Sequence, residues 1–325
     1  MTALTIEKDA IPALDGKVAI VTVHIIDLVD PEDEDWQEWP RFHVHKADVR
    51  DWIRLSDAFA VIDLVDYVFV NAGLGMLDDD LLVDHLDATG RLKEPKFLEV
   101  DTNIRGVFNT SKFDTPCTSL EDNPGQLLRR HGQILTHEIV KLAWFHMTKH
   151  RRQGSIVLTC ASTAYWPDYQ VPVFAATAAS SKHTGIIRSL RNVLPEDNIT
   201  INGVAAGATI SKMLPYEFAV PLIKDGIGIN SPESAGLALV YSAVAREKRR
   251  VEVHGRESGE KLNTPGRWNG RMILALGDKF REIEEVLADT REIWFGKQFC
   301  KWTMLQQAAT DFRGSDGSGT DSQAE

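Results

Sequence analysis

The hydrophobic positions of the chain follow two different periods. Four largely apolar runs rich in β-branched residues are typical of strands buried on both faces of a parallel sheet; they span residues 17–27, 66–70, 155–159 and 198–204. Between them, apolar residues recur at helical spacing, over 51–64, 98–109, 139–150, 179–194 and 235–245. Shorter runs predict strands over 41–45 and 249–253. This alternation predicts an α/β fold, a Rossmann-like doubly wound parallel sheet.

One internal segment and the end of the chain follow neither period. Residues 110–138 contain Pro116, Pro124 and Gly125 among mixed polar residues, which predicts an inserted loop. An alternative for this segment is translated non-coding sequence that interrupts a single helix. Residues 313–325 are rich in glycine, serine and acidic residues, which predicts a disordered acidic tail. We therefore expect one domain over residues 1–312.

Composition narrows the class of protein. The net charge of -11 argues against a nucleic-acid partner, because proteins that bind nucleic acid present basic surfaces. No apolar run reaches the ~18 residues that a membrane-spanning helix needs, and no secretory leader is recognisable. Three scattered cysteines do not suggest a disulfide framework. A cytoplasmic protein with a small-molecule substrate is the expectation.

Several short motifs stand in an informative order. They are Leu-Asp-Gly-Lys-Val-Ala-Ile-Val-Thr at 14–22, Asp48-Val49, Asn71-Ala72-Gly73, Asn103, Gly-Ser-Ile-Val-Leu-Thr at 154–159, and Asn-Ile-Thr-Ile-Asn-Gly-Val-Ala-Ala-Gly at 198–207. In this order and spacing the chain resembles the short-chain dehydrogenase/reductase family, in the form found in filamentous fungi. The resemblance covers roughly residues 14–109 and 139–300.

The resemblance implies an oxidoreductase that uses NAD or NADP on a hydroxyl or carbonyl of a small metabolite, such as a secondary metabolite. It assigns cofactor contacts to Asp27, Asp48, Val49, Asn71, Ala72, Gly73, Val204, Gly207 and Thr209. Among these, Asp27 would bind the adenosine ribose and favour NAD, because a carboxylate repels a 2′-phosphate. The resemblance also implies a homo-oligomer formed through helix faces, although the 110–138 segment would interrupt one such helix.

The chain departs from the family at the phosphate-binding turn. The family places a glycine-rich turn after its first strand, where backbone N–H groups hold the pyrophosphate. Here Thr22 is followed at once by residues 23–27, which resemble the second strand. Parallel neighbours need a crossover of about a dozen residues. The first βαβ crossover is therefore predicted to be missing, and 17–27 is either the first strand or the second. Excised coding sequence is the alternative explanation.

The catalytic positions of the family are also altered. The family's serine, tyrosine and lysine positions fall on Ala161, Phe174 and Ala178. A phenyl ring has no proton to transfer, and alanine has no charge to lower a phenol's pKa. The candidate catalytic set is therefore the matching asparagine with neighbouring substitutes: Asn103, Ser162, Lys182 and Tyr169, with Tyr165 as an alternative acid. The competing hypothesis is a catalytically inactive relative, a pseudoenzyme or interaction protein.

A pair of histidines raises the question of a metal. His43 and His45 are two residues apart on a predicted strand and so share a face. With no third ligand nearby in the sequence, the pair favours a half-buried strand face. No metal site is predicted.

Overall fold

Strands and helices alternate along the chain, and the computed structural model describes them over residues 3–7, 22–31, 37–38, 41–74, 83–94, 102–103, 138–166 and 182–311. The strands are β1 Ala3–Leu4, β2 Val23–Asp27, β3 Phe42–Lys46, β4 Tyr67–Val70, β5 Gly154–Ala161, β6 Ile199–Ala206, β7 Arg246–Glu247, β8 Gly266–Arg267, β9 Met272–Leu276 and β10 Lys279–Glu282. The helices are α1 Trp52–Ile62, α2 Glu138–Lys149, α3 Lys182–Leu190, α4 Tyr216–Lys224, α5 Pro232–Val244, α6 Glu284–Asp289, α7 Arg291–Phe295 and α8 Lys297–Ala309.

A six-stranded sheet forms the centre of the fold, in the order β1-β10-β9-β6-β5-β4. Strands β4, β5, β6 and β9 are parallel, and β10 and β1 complete one side in antiparallel orientation. The longest pairing joins β5 to β6 and runs from Gly154 opposite Ile199 to Ala161 opposite Ala206. The predicted α/β fold with a parallel-dominated sheet is confirmed.

The sheet is buried on both faces, as the continuous apolar runs predict. On β5, Ile156 and Leu158 belong to one hydrophobic cluster, and Val157 between them belongs to another. The first cluster contains residues of α1, α2 and α3, and the second contains residues of α5. Successive side chains of a strand point to opposite faces, so helices on both sides of the sheet explain a run without polar alternation.

The first βα units do not join this sheet within the described residues. Strands β2 and β3 pair with each other in parallel, from Val23 opposite Phe42 to Asp27 opposite Lys46, and form a separate two-stranded ribbon. The ribbon contacts the core through Ile26. Strand β4 is the edge strand on that side of the described sheet. A single continuous sheet was expected; residues 8–21, which include the first part of the predicted strand 17–27, lie outside the described residues.

The sequence was wrong about one late strand. Residues 249–253 are not a strand, and the last parallel strand is β9, which pairs with β6. Val251 is buried, which explains the apolar signal, but its neighbours Arg249 and Arg250 form ion pairs with Asp289 and Glu257. Residues 249–253 therefore belong to a half-buried loop and not to a sheet.

Two other predicted segments lie outside the described residues. These are residues 110–138, apart from Glu138, and the tail 313–325. Of the predicted helix 98–109, only Thr102 and Asn103 are described, and both are helical. Among the described helices, none is long and apolar enough to cross a membrane.

A buried network of charges fastens the C-terminal helices to the sheet. The carboxylate of Glu284, at the start of α6, accepts hydrogen bonds from Tyr165 Oη at 2.7 Å and from Arg188 Nε and Nη2 at 2.8 and 2.7 Å. Arg191 Nη1 lies 3.4 Å from the same carboxylate. Burial acts to raise the pKa of Glu284, but hydrogen bonds and charge from Arg188 hold it below the ordinary value.

A second buried carboxylate, two residues earlier, behaves in the opposite way. Glu282 accepts backbone N–H bonds from Glu284 and Glu285, and its nearest arginine nitrogen, Arg271 Nη1, is 3.6 Å away. Arg271 is shared with Glu247, at 2.6 Å. Burial therefore dominates and raises the pKa of Glu282 to about 7. Their different environments therefore keep Glu284 ionised and make Glu282 readily protonated.

Candidate cofactor and active site

The predicted site residues that follow β4, β5 and β6 lie at one edge of the sheet. Strands β4, β5 and β6 are parallel and end at Val70, Ala161 and Ala206. The loops that follow these strands therefore lie side by side at the carboxyl edge. Open parallel sheets bind their ligands at this edge.

Asn71 and Asn103 are both tied to neighbouring elements at this edge. Asn71 follows β4, and its side-chain oxygen accepts a hydrogen bond from the Thr159 hydroxyl at 2.9 Å. Asn103 Oδ1 accepts from the Leu74 N–H at 2.7 Å, and Asn103 Nδ2 donates to the Leu74 carbonyl at 3.0 Å. The structure therefore places Asn103 beside the Asn71-Ala72-Gly73 turn, with its amide engaged on the backbone.

Gly73 allows that close approach. A Cβ atom at Gly73 would stand 3.3 Å from Asn103 Oδ1, tighter than an ordinary contact. Ala72 and Gly73 are otherwise exposed to solvent. The absence of a side chain at Gly73 thus makes room for the Asn103 amide, in addition to any contact of Gly73 with a ligand.

The end of β5 carries the altered serine position. Ala161 is the last residue of the strand, and Ser162 begins a 3₁₀ turn over Ser162–Ala164. The Ser162 carbonyl accepts the N–H groups of Tyr165 and Trp166. Because the strand has already ended, the alternation of strand faces no longer fixes the direction of the Ser162 side chain. Its backbone adjoins the end of β6, since Ala161 pairs with Ala206.

The turn after β6 is held by packing within the protein. A Cβ on Gly207 would come within 2.2 Å of Leu276 Cδ2, so a larger residue here would displace this exposed side chain of β9. Val204 is fully buried in the core. The Thr209 hydroxyl donates to the Gly207 carbonyl at 3.0 Å and accepts from Asn230 Nδ2 at 3.2 Å. Among the predicted cofactor contacts Val204, Gly207 and Thr209, only Thr209 has a polar side chain, and its hydroxyl lies at the turn.

Tyr165 does not provide the missing acid. Its hydroxyl donates to Glu284 at 2.7 Å, and its ring packs against the main hydrophobic cluster. Burial, together with the adjacent Glu284 carboxylate, raises the pKa of Tyr165 far above its ordinary value. A phenol whose proton is held by a buried carboxylate is a structural group, so the alternative acid of the sequence prediction is eliminated. Nearby Cys160 is also unsuited to chemistry, because burial raises the pKa of its thiol.

The remaining catalytic candidates are only partly described. Lys182 is the first residue of α3, and its side chain is not among the described atoms. Tyr169 lies outside the described residues, as do Phe174 and Ala178. Their roles remain predictions from the resemblance.

The ends of β2 and β3 form the predicted adenosine site. A small open pocket of about 200 Å³ lies there, lined by Leu28, Lys46, Ala47, Asp48, Asp51 and Arg54. The exposed Asp27 carboxylate beside it accepts the Leu28 N–H at 2.6 Å. Val49 is buried next to the pocket. A hydrogen bond from Arg50 lowers the pKa of Asp48, so this carboxylate stays ionised.

These residues fit one half of a dinucleotide and not the other. A carboxylate at the end of β2 suits a ribose, and the pocket beside it has room for a few atoms of a base. At the diphosphate position the described chain passes from Thr22 directly into β2, without a glycine-rich turn or a helix N-terminus. Anchoring of the phosphates therefore has no basis in the described residues.

The ribbon brings a third histidine to the predicted pair. His24 lies on β2, with its ring centroid 5.0 Å from that of His43 and its Nδ1 3.0 Å from Nε2 of His45. Burial and the neighbouring imidazoles lower the pKa of His24 and of His45. Within the described residues, no group of three or more histidine, cysteine or acidic side chains has a geometry that holds a metal ion.

Sequence reasoning missed the residues that support this edge. Asn230 bonds to Thr209, to the Ala275 carbonyl at 2.9 Å and to the Asp278 N–H at 3.1 Å, and so clamps the turn after β6. Its only signal was its place before Ser231-Pro232-Glu233, a helix start. Glu284 gave no signal, because its partners are about 93 to 119 residues away in sequence.

Known proteins resemble this chain over nearly its whole length. It is 37% identical to short-chain dehydrogenase/reductase prx4 of Penicillium rubens, over 96% of this chain and 90% of that protein. It is 35% identical to short-chain dehydrogenase/reductase ATR7 of Stachybotrys chlorohalonatus, over 96% of this chain and 95% of the relative. The chain belongs to the short-chain dehydrogenase/reductase family. The family predicted from the motifs is thereby confirmed, although no family model matches the chain.

Solved structures of the family are more distant. A gluconate 5-dehydrogenase from Burkholderia cenocepacia, in complex with NADP and tartrate, aligns with a TM-score of 0.47 and 14% identity, over 78% of this chain and 83% of the other. An NADH-dependent reductase in complex with NAD aligns with a TM-score of 0.46 and 15% identity, over 79% and 85% of the two chains. Each of these two structures contains a nicotinamide cofactor.

Proposed function

We propose that this protein is an NAD(P)-dependent short-chain dehydrogenase/reductase that acts on a hydroxyl or carbonyl group of a small secondary metabolite. The observation that carries the proposal is the gathering of Asn71, Asn103, Ser162 and Thr209 near one carboxyl edge of the sheet. Most of these polar side chains come from different segments of the chain, and none of the four belongs to the hydrophobic clusters of the core. Membership of a family of oxidoreductases supports the same reaction class.

The chain's own residues are assigned to the substrate side of that reaction. Asn103, fixed on Leu74, positions the turn after β4, and Ser162 would orient the substrate oxygen. Tyr169 is the proposed acid/base, and Lys182 would lower the pKa of its phenol. A nicotinamide cofactor, when bound, supplies or accepts the hydride; Asp27 and Asp48 are the residues of this chain that suit its adenosine end.

A second candidate, an inactive relative, is favoured by a specific observation. Ala161 occupies the serine position, Tyr165 is engaged by Glu284, and the described chain has no phosphate-binding turn before β2. Each lost charge-assisted hydrogen bond to a pyrophosphate weakens binding by about 1.5–3 kcal/mol, so three would weaken it thousands-fold or more. Such a protein would act through partners instead of through turnover.

Cofactor titration separates the two candidates. Purified protein is titrated with NADH, NADPH and ADP-ribose, with melting temperature as the readout, because a ligand that binds the folded state raises its stability. The oxidoreductase predicts dissociation constants below ~100 µM for one dinucleotide. ADP-ribose tests the adenosine end on its own. If neither dinucleotide shifts the melt at millimolar concentration, the enzyme proposal fails and the inactive relative is supported.

Turnover then tests the assigned acid. With a panel of ketones and secondary alcohols, Tyr169→Phe should reduce kcat by roughly 10²–10⁴-fold, the usual contribution of a general acid/base. Tyr67→Phe is the matched control, because Tyr67 is a solvent-exposed tyrosine at the opposite end of β4. Equal activity of Tyr169→Phe and wild type would remove Tyr169 from the mechanism.

A further inference from the structure

A cavity of about 400 Å³ lies beside the start of β6, at the amino edge of the sheet. Its walls are the 3₁₀ turn Leu194–Asp197, the first residues of β6, and the paired strands β7 and β8. Eight residues of β6 separate it from the candidate active site, roughly 25 Å at ~3.3 Å per residue. We call it the amino-edge cavity, and its lining includes Pro195, Asn198, Thr200, Arg250, Thr264 and Arg267.

The lining of the amino-edge cavity is mainly polar. Asn198, Thr200 and Thr264 contribute amide and hydroxyl groups, and Pro195 and Pro265 contribute apolar surface. Cavities that stay empty in proteins are apolar, whereas a polar cavity holds water or a polar ligand. The volume lies within the range of roughly 300–1,000 Å³ that is usual for small-molecule sites. The cavity therefore has the size and the polarity to hold an organic molecule.

Two arginines line the cavity, and only one of them has a counter-ion. Arg250 pairs with Glu257 at 3.0 Å. Arg267, by contrast, bonds only to neutral oxygens among the described residues. Burial lowers the pKa of Arg267, and the neighbouring charge of Arg246 acts in the same direction. The cavity thus presents a cation whose charge the described part of the protein does not neutralise.

The guanidinium of Arg267 is held in a fixed position. Its Nη1 donates to the Asn198 carbonyl at 2.9 Å, and its Nη2 donates to the Gly154 carbonyl and to the Thr200 hydroxyl at 3.1 Å. These bonds use three of the five N–H groups of an arginine. Within the described residues, one N–H on Nε and one on Nη1 are left for another acceptor. A guanidinium that is already fixed loses little freedom when it binds one.

We propose that the amino-edge cavity binds a small organic monocarboxylate, whose carboxylate group pairs with Arg267. Arginine and carboxylate form charge-assisted hydrogen bonds, which are about twice as strong as neutral ones. The amide of Asn198 and the hydroxyl of Thr264 supply further polar groups to the ligand. The two prolines of the lining supply apolar surface to its carbon skeleton.

The carboxylates of the lining favour a ligand with a single negative charge. Glu247 is paired with Arg271 at 2.6 Å, Glu257 is paired with Arg250, and Glu196 is exposed to solvent. A phosphate dianion would bring twice the charge close to these three glutamates and would still gain only Arg267 as a counter-ion. One cation without a counter-ion matches one carboxylate.

Calorimetric titration of the full chain tests the site with benzoate, phenylacetate and 4-hydroxybenzoate, each compared with its neutral amide. At least one carboxylate should bind with a dissociation constant below about 1 mM. Its amide should bind at least roughly 10-fold more weakly, which corresponds to the loss of one charge-assisted hydrogen bond. The inference is overturned if none of the three carboxylates binds below ~1 mM. It is also overturned if the amide or inorganic phosphate binds as tightly as the carboxylate.

Substitution of Arg267 locates the bound carboxylate. Arg267→Gln removes the charge and should weaken binding by at least roughly 10-fold. Arg281→Gln is the matched control and should leave the affinity unchanged. Arg281 is an exposed arginine on β10, level with Ala205 near the carboxyl end of β6. Equal affinity of Arg267→Gln and wild type would place the ligand elsewhere and overturn the inference.

A second variant leaves the bonds of Arg267 to β5 and β6 intact. Thr264→Glu adds a negative charge at an exposed position of the lining and should weaken carboxylate binding by at least roughly 5-fold, through repulsion. If circular dichroism shows that Arg267→Gln does not fold, an unchanged affinity of Thr264→Glu overturns the inference. These readouts are binding constants at the edge opposite the candidate active site, so they are independent of the proposed function.

Discussion

Removal of the charge on Glu284 should destabilise the folded protein strongly. Glu284→Gln keeps the size of the side chain but removes the counter-ion of Arg188 and one of the two carboxylates that pair with Arg191, the other being Glu252. The Glu284 side chain is 3% exposed and that of Arg191 4% exposed, so water replaces little of the lost interaction. Breaking a buried ion pair by removing one partner costs about 3–5 kcal/mol, because a buried charge is left uncompensated. Arg188 is 40% exposed and is partly rescued by solvent, which favours the lower part of this range.

The effect should also depend on pH in a defined direction. The folded-state pKa of Glu284 lies below the ordinary 4.5, so its stabilisation is present above pH 4.5 and is lost as pH falls through the folded pKa. The difference between wild type and Glu284→Gln should therefore be full at pH 7 and shrink as pH falls below 4.5. The free energies of unfolding of the two proteins should become similar only in acid.

Urea denaturation followed by far-UV circular dichroism measures this difference. A loss of about 3 kcal/mol moves the midpoint of unfolding by on the order of 1 M urea, for a slope of about 3 kcal/mol per molar. Asp289→Asn is the control, because Asp289 pairs with Arg249 at 2.8 Å but is half exposed, and surface pairs contribute less than about 1 kcal/mol. A Glu284→Gln loss no larger than that of the control would refute the reasoning from burial.

Two further predictions concern the same region. Glu282→Gln should stabilise the protein by on the order of 2–3 kcal/mol at pH 8 and have little effect near pH 4.5. The folded-state pKa of Glu282 is raised to about 7, so ionisation of Glu282 lowers the stability of the wild type as pH rises from 4.5 through 7. Urea midpoints at pH 4.5, 6 and 8 measure this difference, and an effect independent of pH would contradict it. Tyr165→Phe should reduce stability by about 1–2 kcal/mol, because Glu284 loses one hydrogen-bond donor. It should leave any measured kcat unchanged, and a fall of 100-fold in kcat would return Tyr165 to the list of acids.

Much of the architecture could be read from the sequence. Buried parallel strands have continuous apolar runs, so β4, β5 and β6 were predicted within two residues of their ends. Motifs at strand ends place Asn71, Ser162 and Gly207 at the carboxyl edge, because parallel strands end on the same side. These local signals determined the fold class, the family and the position of the candidate site.

The tertiary structure alone decided which of those residues are available for chemistry. Whether Tyr165 is an acid depends on Glu284, 119 residues later, and the space beside Gly207 is taken by Leu276, 69 residues later. The strand error at 249–253 has the same origin, since burial of Val251 by a loop gives the same apolar signal as burial in a sheet. The hydrophobic pattern of a sequence indicates that a residue is buried, but it does not indicate which residues or elements cover it. Partners distant in sequence set the charge, pKa and exposure of each side chain, and these become defined only when the chain has folded.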